Sequence, residues 1–355
     1  MRIIESRDQR FSGWLQRLVS RGIAVVAWLY AGILVTVWLL IYLTGDRWWL
    51  GTVLLFGPRW IWGAPLFVLV PVSAVARRRT LWILLASAVV VVWPIMGICV
   101  HGSWMQVEDP AALRVLTLNT DAAMVDPEAL ARFVVTSNAD VVALQECNAE
   151  MHFRWPYDWH VRQAGPLLLA SRYPIVSVET STRATPVSPW PPIHGLCCEL
   201  ETPRGLLAVC TVHLRTARYG LAEVLDRSTI LRPSRKGKLI AETENRRAES
   251  RQLREWLAAR KLQPIIAGDF NMPVESAIYR QCWSRYTNAF SKTGWGFGHT
   301  KFTPVGSYRY GARIDHVLSG PDWQPRRCWV GPDVGPEHRP VLAELVRQRD
   351  RPRAD

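Results

Sequence analysis

Pro264-Ile265-Ile266-Ala267-Gly268-Asp269-Phe270-Asn271 is the stretch on which the fold turns. The apolar run Ile265-Ile266-Ala267 follows a proline and is too short for a helix, so it reads as a buried strand. Side chains two positions apart on an extended chain point to one side, so Asp269 and Asn271 are expected to project together from the strand end. Gly268, lacking a side chain, is expected to leave room for a ligand to approach the backbone. A proton-accepting Asp beside an amide-donating Asn suits hydrolysis at phosphorus. An Asp and an Asn ending a strand in an ordinary turn give the same local pattern, so the rest of the chain has to decide.

Outward from that stretch, composition is uneven. The 355 residues are 49% hydrophobic, and the first hundred are far more apolar than the remainder. Net charge is +13, and residues 1–103 hold 10 Arg against 3 acids. About half of the excess therefore flanks apolar segments and acts as a topology signal. The smaller excess spread over the rest is weak support for a nucleic-acid surface. Seven Cys without a CxxC or a zinc-type Cys/His spacing argue against a zinc site, and no disulfide framework is read from them.

Three apolar runs occupy 22–43, 60–76 and 81–100, the second broken by Pro65 and Pro71. The first is bilayer-length and too long for a signal-peptide core. Eight Arg lie in the N-terminal tail and the 77–79 loop, against Arg47 and Arg59 in the 44–59 loop. The positive-inside rule puts the tail and the triple-Arg loop in the cytoplasm. Three spans then put everything after residue 103 outside it, whereas a 60–76 run that does not cross would leave the downstream domain in the cytoplasm; helices buried in a soluble fold are the bland reading of the same runs. The expected organisation is a three-span membrane domain over 1–103, a linker over 104–113, a catalytic domain over 114–346 and a disordered tail over 347–355.

The downstream part alternates strands and helices. Strands are expected at 114–119, 141–145, 167–171, 206–214, 265–267, 314–318 and 341–346. Asp126-Pro127 reads as an N-cap with proline in the first turn of a helix running to about Ser137. Residues 242–260 read as a charged surface helix with Leu253, Trp256 and Leu257 inward. The Pro-rich stretch 186–192 and the basic stretch 215–240 read as irregular.

Polar residues gather at strand ends: Asn119 with Asp121 nearby, Glu146, His213, Asp269 with Asn271, Asp315, and Glu337-His338 before the last strand. Each alone has a bland reading, but so many in one fold form a coherent set. Asn119, Asp121, Glu146 and Glu337 offer only oxygen, which suits a hard cation such as Mg²⁺, with Mn²⁺ as a substitute. Such an ion would polarise a phosphoryl oxygen. His213, Asn271 and His338 can donate to the other phosphate oxygens, and Asp269 can hold an attacking water. Asp315 can orient His338 and keep it protonated.

The motifs Leu118-Asn119-Thr120-Asp121, Leu144-Gln145-Glu146, Val212-His213-Leu214, Gly268-Asp269-Phe270-Asn271, Arg313-Ile314-Asp315-His316 and Glu337-His338-Arg339-Pro340-Val341 occur in order. With them, residues 114–346 resemble the endonuclease/exonuclease/phosphatase superfamily of DNase I-like nucleases, neutral sphingomyelinases and inositol-polyphosphate phosphatases. The resemblance implies an α+β fold, a four-layer α/β/β/α sandwich, here preceded by an all-α transmembrane region, and Mg²⁺-dependent phosphoester hydrolysis. It makes Asn119 and Glu146 metal-site residues, and His213, Asp269, Asn271, Asp315 and His338 catalytic. The family usually carries Ser-Asp-His where this chain has Pro336-Glu337-His338. The extra methylene of Glu337 would shift a metal or hold it through water. The three spans, with the region from Asn288 to Thr300, also resemble bacterial membrane members linked to glycopeptide resistance and thought to act on lipid-linked phosphates.

The expected activity is that of a metal-dependent phosphoric ester hydrolase: a phosphatase or phosphodiesterase in the bacterial plasma membrane, its catalytic domain outside the cytoplasm, acting on a phosphate-containing, lipid-linked substrate. A membrane-tethered DNase I-like endonuclease is the alternative and would bind nucleic acid with steep salt dependence. A catalytically dead binding module is a third reading. Oligomeric state is not legible.

Overall fold

A computed structural model describes residues 2–101, 111–122, 124–148, 153–156, 158–184, 191–226, 228, 235–335 and 337–348. Most of the expected linker, most of the Pro-rich stretch and most of the tail lie outside the described residues.

The chain divides into two compact units, Met1–Gly45 with Leu50–Ile98, and Asp46–Trp49 with Cys99–Asp355. The first contains α1 (Arg2–Thr44), nearly all of α2 (Trp49–Phe56), α3 (Leu66–Ala76) and α4 (Leu81–Val90), the last continued by a π-helical turn to Ile95. Three helical segments, Arg17–Thr44, Arg59–Ala76 and Arg78–Ile95, are long and apolar enough to cross a membrane. The third stops at Ile95, short of the expected residue 100, because Cys99 and Val100 pair as a strand. Inward, Ala27, Leu34, Ile41, Leu84 and Ile95 form a buried seam. Outward, Phe67, Val75, Trp82 and Trp93 are largely exposed, an apolar surface that water does not favour. Arg59 donates to the carbonyls of Leu55 and Ile95, satisfying helix-end acceptors.

The second unit is built on strands β1 (Cys99–Val100), β2 (Leu113–Asn119), β3 (Val141–Gln145), β4 (His160–Ala164), β5 (Leu167–Ser171), β6 (Ile175–Thr182), β7 (Ile193–Thr202), β8 (Gly205–His213), β9 (Ile265–Asp269), β10 (Thr287–Asn288), β11 (Trp295–Gly296), β12 (Lys301–Val305), β13 (Tyr308–Ala312), β14 (Asp315–Ser319), β15 (Trp323–Val330) and β16 (Val341–Arg347). Its helices are α5 (Pro127–Thr136), α6 (Arg218–Leu225), α7 (Arg235–Ala258), α8 (Ala277–Cys282) and α9 (Ala289–Thr293).

Two six-stranded sheets form the centre, ordered β15-β16-β2-β3-β5-β4 and β10-β14-β9-β8-β7-β6. Val115, Val141, Ala143 and Leu169 of one sheet share a buried cluster with Leu196, Val209, Ile265, Ala267 and Val317 of the other. This is the contact of two apolar sheet faces. The opposite face of the first sheet, with Leu116, Val142 and Leu144, packs on Leu130 and Val134 of α5. On the far side, α7 is tied to β7 through Glu249 to His194, and Arg260, just past the helix end, reaches Glu179 of β6. The layering is therefore helix, sheet, sheet, helix. Because the central strands of each sheet are covered on both faces, they read as mostly apolar runs, not alternating ones.

Three local outcomes differ from expectation. The basic stretch is not wholly irregular: it contains α6, and α7 begins at Arg235. The space beside Gly268 belongs to the protein rather than to a ligand. A Cβ there would lie 2.1 Å from the Val212 carbonyl oxygen, and its φ of 153° disfavours other residues, so glycine lets β8 and β9 approach. Cys197 and Cys210, directly opposed on β7 and β8, form a disulfide, which the sequence did not reveal.

Candidate active site

Register explains why distant residues meet. β2 runs parallel to β3 with Asn119 opposite Gln145, and β8 runs parallel to β9 with His213 opposite Asp269. β14 is antiparallel to β9 and starts where β9 stops, so Asp315 faces Asp269. A bridge between Lys301 and His338 brings the last motif to the same end. Gln145 spans the sheet interface, donating to Thr117 at 3.0 Å and to Thr211 at 2.9 Å. That buried link fixes one sheet against the other at the level of the site.

Asp269 is the hub. Its Oδ1 accepts the Asn271 backbone N–H at 2.8 Å, and its Oδ2 accepts the side chains of Asn119 at 3.0 Å and Asn271 at 3.1 Å. His213 Nε2 lies 3.8 Å and His338 Nε2 3.9 Å from the same Oδ2. Burial, with the nearby Asp315 charge, raises the Asp269 carboxyl above the usual aspartate range, although His338, His213 and Asn119 pull the other way. On the other side of His338, Nδ1 contacts Asp315 at 3.0 Å. Burial opposes both charges of this pair, and their mutual attraction outweighs it. His338 is raised above the ordinary histidine value and Asp315 is lowered below the ordinary aspartate value. Asp315 is further fixed by Thr300, whose hydroxyl accepts the Ile314 and Asp315 backbone N–H groups at 3.1 Å each.

Asn119 donates to Glu146 Oε1 at 2.9 Å as well as to Asp269, while its own oxygen accepts the Asp121 N–H at 2.9 Å. Glu146 also lies 3.5 Å from His213 and is one-third exposed. Asp121, Glu146 and Asn271 all hold left-handed backbone, with φ of 51°, 58° and 50°. Non-glycine residues cost on the order of 1–3 kcal/mol each in such conformations, and they cluster at functional sites. The structure thus brings Asn119, Asp121, Glu146, His213, Asp269, Asn271, Asp315 and His338 to one end of the sandwich. Glu337 arrives beside them, but Lys301 claims its carboxylate at 2.7 Å. Burial would raise Glu337, and Lys301 outweighs it, so the carboxyl sits below the usual glutamate range. Both side-chain N–H groups of Asn271 are committed, one to Asp269 and one to the Leu214 carbonyl at 2.8 Å.

Several supporting residues were missed. Lys301 is nearly buried, and Thr300 is fully so. Glu249 gathers Arg183 at 2.9 Å, Arg215 at 3.2 Å and His194 at 3.1 Å, and Arg183 donates to the His213 carbonyl at 2.8 Å. His316 is a structural group: Nε2 meets the Met272 carbonyl at 2.9 Å, and burial pushes its pKa down to about 4. A run of buried arginines meeting one helix-borne Glu leaves no pattern in sequence order.

Residues 116–339 match the model of the Endonuclease/Exonuclease/phosphatase family, so the chain belongs to that family. It is a phosphoester hydrolase. No curated protein matches it. Among solved structures, it is similar to an endonuclease/exonuclease/phosphatase family protein from Leptotrichia buccalis, at 14% identity and TM-score 0.47, over 66% of this chain and 99% of that one. A family protein from Bacteroides thetaiotaomicron gives 17% and 0.48, over 69% and 98%. A 3′ phosphatase, NExo, from Neisseria, bound to a product DNA hairpin, gives 17% and 0.47, over 66% and 99%.

Proposed function

We propose that this chain is a membrane-anchored, Mg²⁺-dependent hydrolase, its catalytic unit outside the cytoplasm, cleaving a phosphoester or pyrophosphate in a lipid-linked substrate. The observation that carries the reading is the buried Asp269, placed between two imidazoles and raised in proton affinity. A raised carboxylate is a stronger base toward water.

The donor set fits a hard divalent cation. Asn119 presents an amide oxygen and Glu146 a partly exposed carboxylate, with Asp121 beside them and no thiolate in the group. Asn119 and Glu146 would hold the ion, which when bound supplies charge stabilisation at a phosphoryl oxygen. Glu337, held by Lys301, would act through that pair. Asp269 takes the proton of the attacking water. His213 and His338 donate to phosphoryl oxygens, and Asp315 keeps His338 charged. With both N–H groups committed, Asn271 orients Asp269 instead of donating to an oxyanion.

Support for anchoring is the three apolar helices and the exposed aromatic and aliphatic surface of the first unit. For orientation, Arg77 reaches Ser20, which groups the triple-Arg loop with the N-terminal tail. The Cys197–Cys210 disulfide also suits an oxidising compartment. The test is a panel on detergent-solubilised full-length protein: lipid pyrophosphates, phospholipids, sphingomyelin, inositol phosphates and plasmid DNA, each with and without EDTA. EDTA-sensitive cleavage of a lipid phosphate is expected. Cleavage of DNA alone would replace this reading with the nuclease one. An alkaline phosphatase reporter fused after residue 105 should be active, and activity only from a cytoplasmic reporter would reject the orientation.

A further inference from the structure

Asp46 belongs by its contacts to the second unit, although about two hundred residues separate it from its partners there. It is fully buried, with a left-handed φ of 58°. Its Oδ1 meets Arg246 Nη1 at 2.6 Å, and its Oδ2 accepts the hydroxyl of Ser276, the residue that caps α8. Its carbonyl accepts Arg247 Nη2 at 2.7 Å, and Lys236 stands 4.7 Å from the Trp49 ring centroid. A short loop that places a strained, buried carboxylate on two partners is built for a task.

The task follows from where Arg246 points. With Nη1 on Asp46, its Nε donates to the Arg215 carbonyl at 3.2 Å and its Nη2 to the Asn271 carbonyl at 3.2 Å. Those carbonyls belong to the chain just beyond β8 and β9. The same two segments carry His213 and Asp269, and Asn271 holds both oxygens of Asp269. Arg246 is therefore a clamp across the two strand ends, and Asp46 supplies the charge that fixes it. A guanidinium this deeply buried requires a carboxylate partner.

We propose that Asp46 is a positioning residue for the hydrolytic centre, acting through Arg246 on the Asn271 turn and so on Asp269. The proposal rests on the hydrolase reading, and the test separates the two. Full-length protein in detergent with Mg²⁺ is assayed on bis(p-nitrophenyl) phosphate. Asp46→Asn keeps the side-chain shape and removes the charge. It should lower kcat on the order of tenfold to a hundredfold with little change in KM, since small misplacement of a reacting group acts on the transition state. In an Arg246→Lys background, Asp46→Asn should cause no further loss, because both act through one contact. Arg247→Met, which loosens Asp46 only through its carbonyl, should give a smaller fall, and Glu244→Gln, which removes the charge that Arg247 Nη1 meets at 2.6 Å and leaves the Asp46 contact, none.

Amide hydrogen exchange on the same proteins provides the readout that needs no substrate. In Asp46→Asn, peptides covering 214–216 and 269–273 should exchange faster, while one covering 141–145 does not change. Unchanged kcat, additive losses in the double variant, or unchanged exchange at 269–273 would each overturn the proposal. If Asp46→Asn fails to fold, Arg247→Met against Glu244→Gln carries the same decision. A wild-type chain that cleaves no phosphoester would sink the hydrolase reading instead, and exchange at 269–273 would still decide whether Asp46 holds the turn.

Discussion

Asp315→Asn isolates one electrostatic contact at the centre. In the native chain the Asp315 carboxylate lies 3.0 Å from His338 Nδ1, with both groups buried. At that separation and an effective dielectric near 20, the attraction is about 5 kcal/mol before desolvation is subtracted. Asparagine keeps an oxygen for the Nδ1–H but no charge, so the burial that opposes the imidazolium goes unanswered. His338 should then titrate lower, and at neutral pH the donor to the phosphoryl group should be largely lost. Loss of one such donor costs about a hundredfold to a thousandfold in kcat, or roughly 3–4 kcal/mol. The sign of the pH dependence is fixed by the direction of the shift. A histidine raised in the folded state contributes stability fully present below its ordinary value of 6.5, and lost as pH rises through the folded value. Activity that needs the imidazolium declines over the same rise. The assay is kcat and the thermal midpoint against pH for wild type and variant. In the variant the decline in kcat should move to lower pH, and the midpoint should lose its dependence above 6.5. A variant with the native profile and native kcat would refute the pairing of Asp315 with a charged His338.

Three further outcomes follow. Glu146→Gln should weaken activation by Mg²⁺ about tenfold to a hundredfold, read as the Mg²⁺ concentration for half-maximal rate, and EDTA should abolish activity reversibly. Gly268→Ala drives a Cβ into the Val212 carbonyl and should cost about 3 kcal/mol or prevent folding, read from denaturant midpoints. Asp46→Ala removes the carboxylate and leaves Arg246 in place without it; the full-length variant should be about 3–5 kcal/mol less stable than wild type, read from denaturant midpoints.

What the sequence disclosed follows burial. The expected and observed bounds of Val141–Gln145 and Leu167–Ser171 coincide because each is a fully buried strand whose apolar run ends at a polar residue. Asp126 was legible as a cap because it accepts from the Glu128 and Ala129 backbone N–H groups, which its place before Pro127 announces. Edge strands were not legible. Ile175–Thr182 is mostly exposed and polar, and Trp323–Val330 carries a proline and a register shift between Pro325 and Arg327. The motif residues of the site could be listed in order, because strand ends are visible in a sequence. Their supports could not. Lys301 sits among aromatic and glycine residues that give no helix or strand period, and Asp46 reaches Arg246 across two hundred residues. Pairings of that span are set by tertiary packing, which periodicity does not encode.

The central claim is that residues from both sheets serve a single hydrolytic event at Asp269. It is tested most directly by single-turnover cleavage in Mg²⁺ of the best substrate of the wild-type chain, measured for Asp269→Ala and His338→Ala with folding checked by circular dichroism. Both folded variants should lose at least about a hundredfold in the single-turnover rate. Wild-type turnover in either one would contradict the account.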